Sequence, residues 1–174
     1  MNTNEDWYTP VKNALEVFTT GARVNFQMWG EVLPVFGYNF NGEPMTKAVK
    51  FTNPADKENF RLYILDLIRI DKLKEFVFVS EAWTVKAQRP DLSDVNEWMA
   101  EHGSLANHPD RREIVSVLYC SPTEEIQYTA EINRGTIPAS LGEWHIERST
   151  GRFNLSQLGT RFQGLFAQGT AGQN

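Results

Sequence analysis

Apolar residues fall along the chain in two periods. The clearest has the helical period: Phe60, Tyr63, Ile64, Leu67 and Ile68 stand at i, i+3, i+4, i+7 and i+8, which places them on one broad stripe. Asn53 ahead of them is a good cap, and Pro54 suits the first helical position, where its missing N–H costs nothing. Asp56 and Glu58 complement the positive end of the macrodipole, and Lys72 and Lys74 lie near the other end. The spacing predicts a helix over 54–70. Val11, Ala14, Leu15 and Phe18 repeat the pattern, with Trp7 one turn earlier. They predict an N-terminal helix opened by Thr9-Pro10 and stopped at Gly21. From Arg23 the pattern changes to alternation, with Val24, Phe26 and Met28 apolar. That predicts a short strand or extended approach, broken by Gly30.

The other stretches have the period of a strand. Glu31 to Phe40 is strand-like, with Pro34 demoting its first half to an edge or bulge. Asn41-Gly42 is a hairpin turn signal, and Met45 to Phe51 is the returning strand. Phe76 to Val85 is the longest apolar, β-favouring run and the expected centre of a sheet. Its faces, Val77, Val79, Glu81, Trp83, Val85 and Phe76, Phe78, Ser80, Ala82, Thr84, are both mainly apolar, which implies cover on both sides or a large share of the core. A long connection, 87–112, holds a short helix from Ser93 towards Gly103 and a turn at His108-Pro109-Asp110-Arg111-Arg112. Glu113 to Cys120 and Glu125 to Asn133 form a hairpin around Ser121-Pro122-Thr123. In its second strand Ile126, Tyr128, Ala130 and Ile132 are expected to point inward and Gln127, Thr129 and Glu131 outward. Glu143 to Arg148 is the last expected strand. Beyond Gly151 a loose helical spacing runs through Phe153, Leu155, Leu158, Phe162, Leu165 and Phe166.

These elements give an α+β fold: a mainly antiparallel sheet of about five to six strands, with the helix at 54–70 and the N-terminal helix packed on one face. Residues 1–166 are expected to be a single domain and 167–174 a disordered Gly- and Gln-rich tail. At 174 residues the chain can bury a sizeable core unaided, and 11 Phe and 5 Trp supply much of it. Its one cysteine, Cys120, precludes an internal disulfide and fits a cytoplasmic protein. The acidic opening, Met1-Asn2-Thr3-Asn4-Glu5-Asp6, does not have the form of a signal peptide, and no apolar run has the length of a membrane span. A net charge of -5 lacks the electrostatic footprint of a nucleic-acid binder. Lys47, Lys50, Arg148, Arg152 and Arg161, the basic groupings, are interspersed with acids and read as a solvated face.

One constellation suggests chemistry. Glu81 is a carboxylate on an otherwise apolar strand face and needs a partner, because burial unpaired is costly. Arg111 or Arg112, at the turn before the neighbouring strand, would neutralise it. The architectural reading is an ion pair. The catalytic reading makes Glu81 a general base with His108 as acid or ligand and Arg111 beside them, a small hydrolase. Val79-Ser80-Glu81-Ala82-Trp83, His108-Pro109-Asp110-Arg111-Arg112-Glu113 and Gly151-Arg152-Phe153 together resemble the V-S-E-x-W strand, H-P-x-R-x-E turn and G-R-F of small bacterial and phage proteins. That resemblance implies a phage or mobile-element origin and carries no activity. An acid on a strand followed by a His-Pro turn is also similar to JAMM-type metalloproteases, but position 106 is Ala where the first ligand would stand. No zinc-binding spacing, nucleophile elbow or phosphate loop is present, so no metal and no cofactor are expected. Trp83, Trp98, Met99 and Arg112 are the expected contact residues of a non-catalytic binding or assembly protein with a protein partner or a second copy of itself. The edge at Val35 to Phe40 is one place for such self-pairing.

Overall fold

The computed structural model describes residues 11–40, 42–150, 162 and 164–170. A short 3-10 turn, Val11–Ala14, leads into helix α1, Leu15–Trp29. Strands β1, Val35–Phe40, and β2, Glu43–Ala48, precede helix α2, Pro54–Arg69. Strand β3, Phe76–Thr84, is followed by helix α3, Ser93–His102. Strands β4, Arg112–Cys120, β5, Glu124–Asn133, β6, Ser140–Leu141, and β7, His145–Thr150, come before helix α4, Leu165–Thr170. The chain is α+β. Its strands form one antiparallel sheet in the order β2-β1-β3-β4-β5, and β6 and β7 share the far edge of β5. Strand β3 lies inside it, paired with β4 from Phe76↔Cys120 to Thr84↔Arg112 and with β1 from Tyr38↔Phe76 to Val35↔Val79.

Side chains alternate across the sheet, and each side has its own core. Val77, Val79, Val115 and Val117 pack with Leu15, Ala22 and Phe26 of α1. Phe76, Phe78, Phe36 and Leu118 pack with Phe60, Ile64 and Ile68 of α2, together with Phe162, Leu165 and Phe166. The two helices therefore cover opposite sides, and the expectation of both on one face is corrected. The cause is β3 itself: with both faces apolar, each needs cover. Phe60, Phe78 and Phe162 meet at ring-centroid distances of 4.7–5.8 Å, and such pairs add about 0.5–1.5 kcal/mol each beyond area burial.

Helix α1 corrects the alternating reading of Arg23 to Trp29. Leu15, Thr19, Ala22 and Phe26 are buried at i, i+4, i+7 and i+11, one continuous stripe. Val24 and Met28, the other members of the apparent alternation, are 44% and 64% exposed. Gly21 lies within the helix, and Gly30 ends it at φ +72°, its N–H bonded to Phe26 O at 2.7 Å. Helix α2 forms as expected: Asn53 Oδ1 accepts from Asp56 N, and Asp56 Oδ2 accepts from Asn53 N, a capping box with Pro54 at the first position.

Phe40↔Glu43 is the last pair of the β1–β2 hairpin, with Gly42 at φ +88°. That places β2 on the rim and β1 inside, so β1 has no edge for a second copy. On the outward side of β5 the expectation holds at Glu131, which is exposed, and is corrected at Gln127, which is 7% exposed; Glu125 on the same side is 3% exposed. Glu125 Oε1 accepts from Gly164 N at 2.7 Å, beneath α4. Helix α4 carries the chain through 167–170, where a tail was expected. The expected cap at Thr9-Pro10, most of the loose helix from Phe153, the Gly151-Arg152-Phe153 motif and 171–174 lie outside the described residues. No helix among the described residues is long and apolar enough to cross a membrane.

Candidate functional site

Strand β1 stops pairing with β3 at Val35↔Val79, whereas β3 continues beside β4 to Thr84. Pro34, next in line opposite Ser80, faces β2 instead: its carbonyl accepts from Val49 N at 2.9 Å and continues the β1–β2 ladder. Ahead of it the chain meets β3 through a side chain, Val32 N donating to the Glu81 carboxylate. Residues 80–84 of β3 therefore have a strand neighbour on one side only.

Beside this half-open strand lies a cleft of roughly 340 Å³. Its apolar surface comes from Phe51, Phe78, Leu118 and Phe162, with Met99 and Leu105 among the lining. Ser80 and its cross-strand partner Ser116 also line it, and Ser116 Oγ accepts from the buried Gln127 Nε2 at 3.1 Å. One wall is the segment after α3. Gly103 ends that helix at φ +70°, and the Trp98 indole N–H donates to Ser104 O at 3.0 Å. The His102 ring stacks on Trp98 at 3.9 Å and the His108 ring meets its edge at 4.5 Å. Helix α3 buries no side chain of its own, so this aromatic group and the Ser104 bond shape the wall.

Glu81 does not pair with Arg111 or Arg112. Its Oε1 accepts from Val32 N at 2.8 Å, and its Oε2 lies 3.6 Å from Arg134 Nη2. Arg134 forks onto Glu113 at 2.7 and 3.0 Å and donates to Gly30 O at 2.7 Å, capping the last turn of α1. Burial pushes the Glu81 carboxyl up from its ordinary pKa, while the Val32 N–H and Arg134 pull it down. The sheet register explains the correction. Glu81 lies opposite Val115, so Glu113 shares its face and Arg112 points the other way. Arg112 pairs with Glu131 at 3.4 Å. Arg111 stacks over Trp83 at 5.2 Å and donates to His108 O at 3.3 Å.

Of the residues singled out from sequence, Glu81, Trp83 and Met99 line the cleft. Trp98 supports its wall. His108, Arg111 and Arg112 are not part of the lining. His108 Nδ1 accepts from Asp110 N at 3.1 Å, as a turn residue does. No hydrogen bond or ion pair joins Glu81 to His108 or Arg111 among the described residues. No group of three or more His, Cys, Asp or Glu among the described residues is placed to hold a metal ion. Cys120 is fully buried, and burial pushes its thiol well up, away from the reactive thiolate. Sequence reasoning missed Phe51, Leu105, Ser116 and Phe162 of the lining and Arg134 behind it. Arg134 alone had a usable signal: it follows the β5 strand pattern immediately, at the end of the hairpin where Glu113 begins. The chain matches no protein-family model, no curated protein and no solved structure.

Proposed function

We propose that this chain is a non-catalytic binding protein that holds an extended segment of another protein in the cleft, as an added strand beside residues 80–84 of β3. The observation that carries the reading is the half-open strand with an apolar trough directly against it. A strand with an unpaired side offers backbone donors and acceptors at alternate residues, and an incoming extended peptide satisfies them. The trough takes a side chain from that peptide. Its volume lies at the low end for ligand sites, which suits one or two apolar side chains better than a large cofactor. Trp83, exposed at the rim with Arg111 stacked on it, and Met99 in the facing wall extend the contact. The competing hydrolase reading has less support. Glu81 is committed to Val32 and Arg134, and His108 packs on Trp98 outside the cleft lining.

The test is selection of peptides from a random display library, followed by titration into isotope-labelled protein. The expected result is shifted backbone amides at Ser80 to Thr84. N-methylation at alternate peptide positions is expected to abolish binding, and Ser116→Phe, which fills the trough, to weaken it at least tenfold. Failure to select any peptide, or shifts confined to other surfaces, refutes the proposal.

A further inference from the structure

The floor of the cleft interrupts the sheet face it belongs to. On the α2 side, the pairs between β3 and β4 run Phe76↔Cys120, Phe78↔Leu118, Ser80↔Ser116 and Ala82↔Ile114. Three of these pairs are apolar, and the other sets two hydroxyls side by side. Ser80, Ser116 and Ala82 are also small, so the trough exists because bulk is missing above them. Neither hydroxyl is fully used. Ser116 is 5% exposed, and its Oγ accepts from Gln127 Nε2 at 3.1 Å. That contact occupies a lone pair and leaves the Ser116 proton to be donated. Among the described residues the proton has no acceptor, and the Ser80 hydroxyl makes no hydrogen bond. A shielded O–H without an acceptor is costly, so the floor favours an occupant that supplies one.

We infer that the trough is a phenol pocket, and that its occupant is a tyrosine of the segment held beside residues 80–84; the tyrosine rests on the strand-addition reading above. A phenol hydroxyl both accepts and donates. It takes the Ser116 proton and gives its own to Ser80, so one ligand atom satisfies both floor groups. An indole N–H only donates and leaves the Ser116 proton unclaimed, and a phenylalanine ring answers neither serine. The ring of the phenol meets Phe51, Phe78 and Phe162, which supply edge and offset-stacked contacts. Charge excludes ionised occupants. Ser80, Ser116 and Gln127 are neutral, and Arg134 already holds Glu81 and Glu113 at the rim. Lys57 is exposed and lies over the Phe51 ring at 6.0 Å, away from the buried floor. A carboxylate or ammonium on the floor would lose its water and gain no counter-charge. An extended segment beside β3 turns alternate side chains to the face of Ser80 and Ala82, so a single tyrosine on that face fills the trough.

Titration of p-cresol and of toluene into the isotope-labelled full chain tests the pocket without any peptide. The two probes share a ring and a methyl group and differ only in the hydroxyl. p-Cresol is expected to shift the amides around Ser80, Ser116 and Leu118 and to bind about tenfold more tightly than toluene, the worth of one or two net hydrogen bonds. Ser80→Ala removes a side chain that makes no hydrogen bond, so it should keep the melting temperature and the toluene affinity while shrinking that preference. Equal affinity for the two probes, binding of neither, or a preference unchanged in Ser80→Ala overturns the pocket. Display-selected peptides distinguish the source of the phenol. They are expected to carry a tyrosine whose replacement by phenylalanine costs about tenfold in affinity. Peptides that bind along 80–84 without preferring tyrosine overturn the tyrosine assignment and leave strand addition standing. Binding of p-cresol with no peptide selected overturns strand addition and the tyrosine together, and gives the pocket to a free phenol.

Discussion

Replacing Arg134 with alanine removes the group that ties four parts of the chain together. The guanidinium makes three hydrogen bonds of 2.7–3.0 Å, two to Glu113 and one to Gly30 O, lies 3.6 Å from Glu81, and covers the Phe26 ring at 5.6 Å. Charge-assisted bonds of this kind are worth about 1.5–3 kcal/mol each when shielded. The Arg134 side chain is 46% exposed, so water takes over part of each bond, and exposed ion pairs contribute only about 0–1 kcal/mol. Glu113 and Glu81 are only 20% and 25% exposed, and their carboxylates are left facing each other without a cation. Between these limits the expected loss is about 2–3 kcal/mol, or about 5–10 °C in melting temperature for a chain of this size.

Urea unfolding followed by tryptophan fluorescence measures that loss, and its pH dependence separates the mechanism from simple loss of packing. Glu81 has a raised pKa in the folded protein, so in the window above its ordinary value of 4.5 the folded state binds more protons than the unfolded one. Its contribution to stability is full below that value and falls as pH rises. Without Arg134 one of the influences that lower the Glu81 pKa is gone, so the variant's deficit should widen with rising pH and narrow as pH falls towards 4.5. Adding Glu81→Gln should recover part of the deficit, since Gln retains an acceptor for Val32 N–H. A loss below about 0.5 kcal/mol, the range of ordinary surface substitutions, or a deficit independent of pH, refutes the architectural reading of Glu81.

Two further outcomes follow from the two cores. Burial pushes Glu125 up, with the Gly164 N–H only partly offsetting it, so this carboxylate costs stability as pH rises above its ordinary value of 4.5. Glu125→Gln keeps an acceptor for Gly164 and should be at least as stable as wild type at pH 7, with the advantage vanishing in acid; thermal melts from pH 4 to 7 check it. A Cβ at Gly37 would sit 2.4 Å from Phe18 Cζ, so Gly37→Ala must displace that ring from β1 at a cost of about 1–3 kcal/mol. Chemical denaturation should show this, with partial recovery in Gly37→Ala/Phe18→Leu.

Local signals made much of the fold legible. Asn53-Pro54 and Asn41-Gly42 marked α2 and the first hairpin because caps and turns depend on neighbouring residues alone. The apolar run at 76–85 revealed β3 because length and β-propensity agreed. Arg23 to Trp29 misled because Val24, Phe26 and Met28 fit either period, and only tertiary packing shows that Phe26 alone is buried. The partner of Glu81 was hidden for a related reason. Nearness in the turn favoured Arg111 and Arg112, whereas hairpin register and face parity delivered Arg134. The cleft was half visible. Trp83 and Met99 stood out as large side chains in the right region, but Phe51, Ser116 and Phe162 reach it only through the sheet and helix packing.

Strand β2 has a consequence for assembly. All six of its residues are exposed, and it occupies the rim with Pro44, which has no N–H to offer, and Lys47, drawn inward over Tyr63. It works as a stopper: the hydrogen-bonded ribbon ends there, so copies of the molecule do not propagate side by side into fibres from that margin.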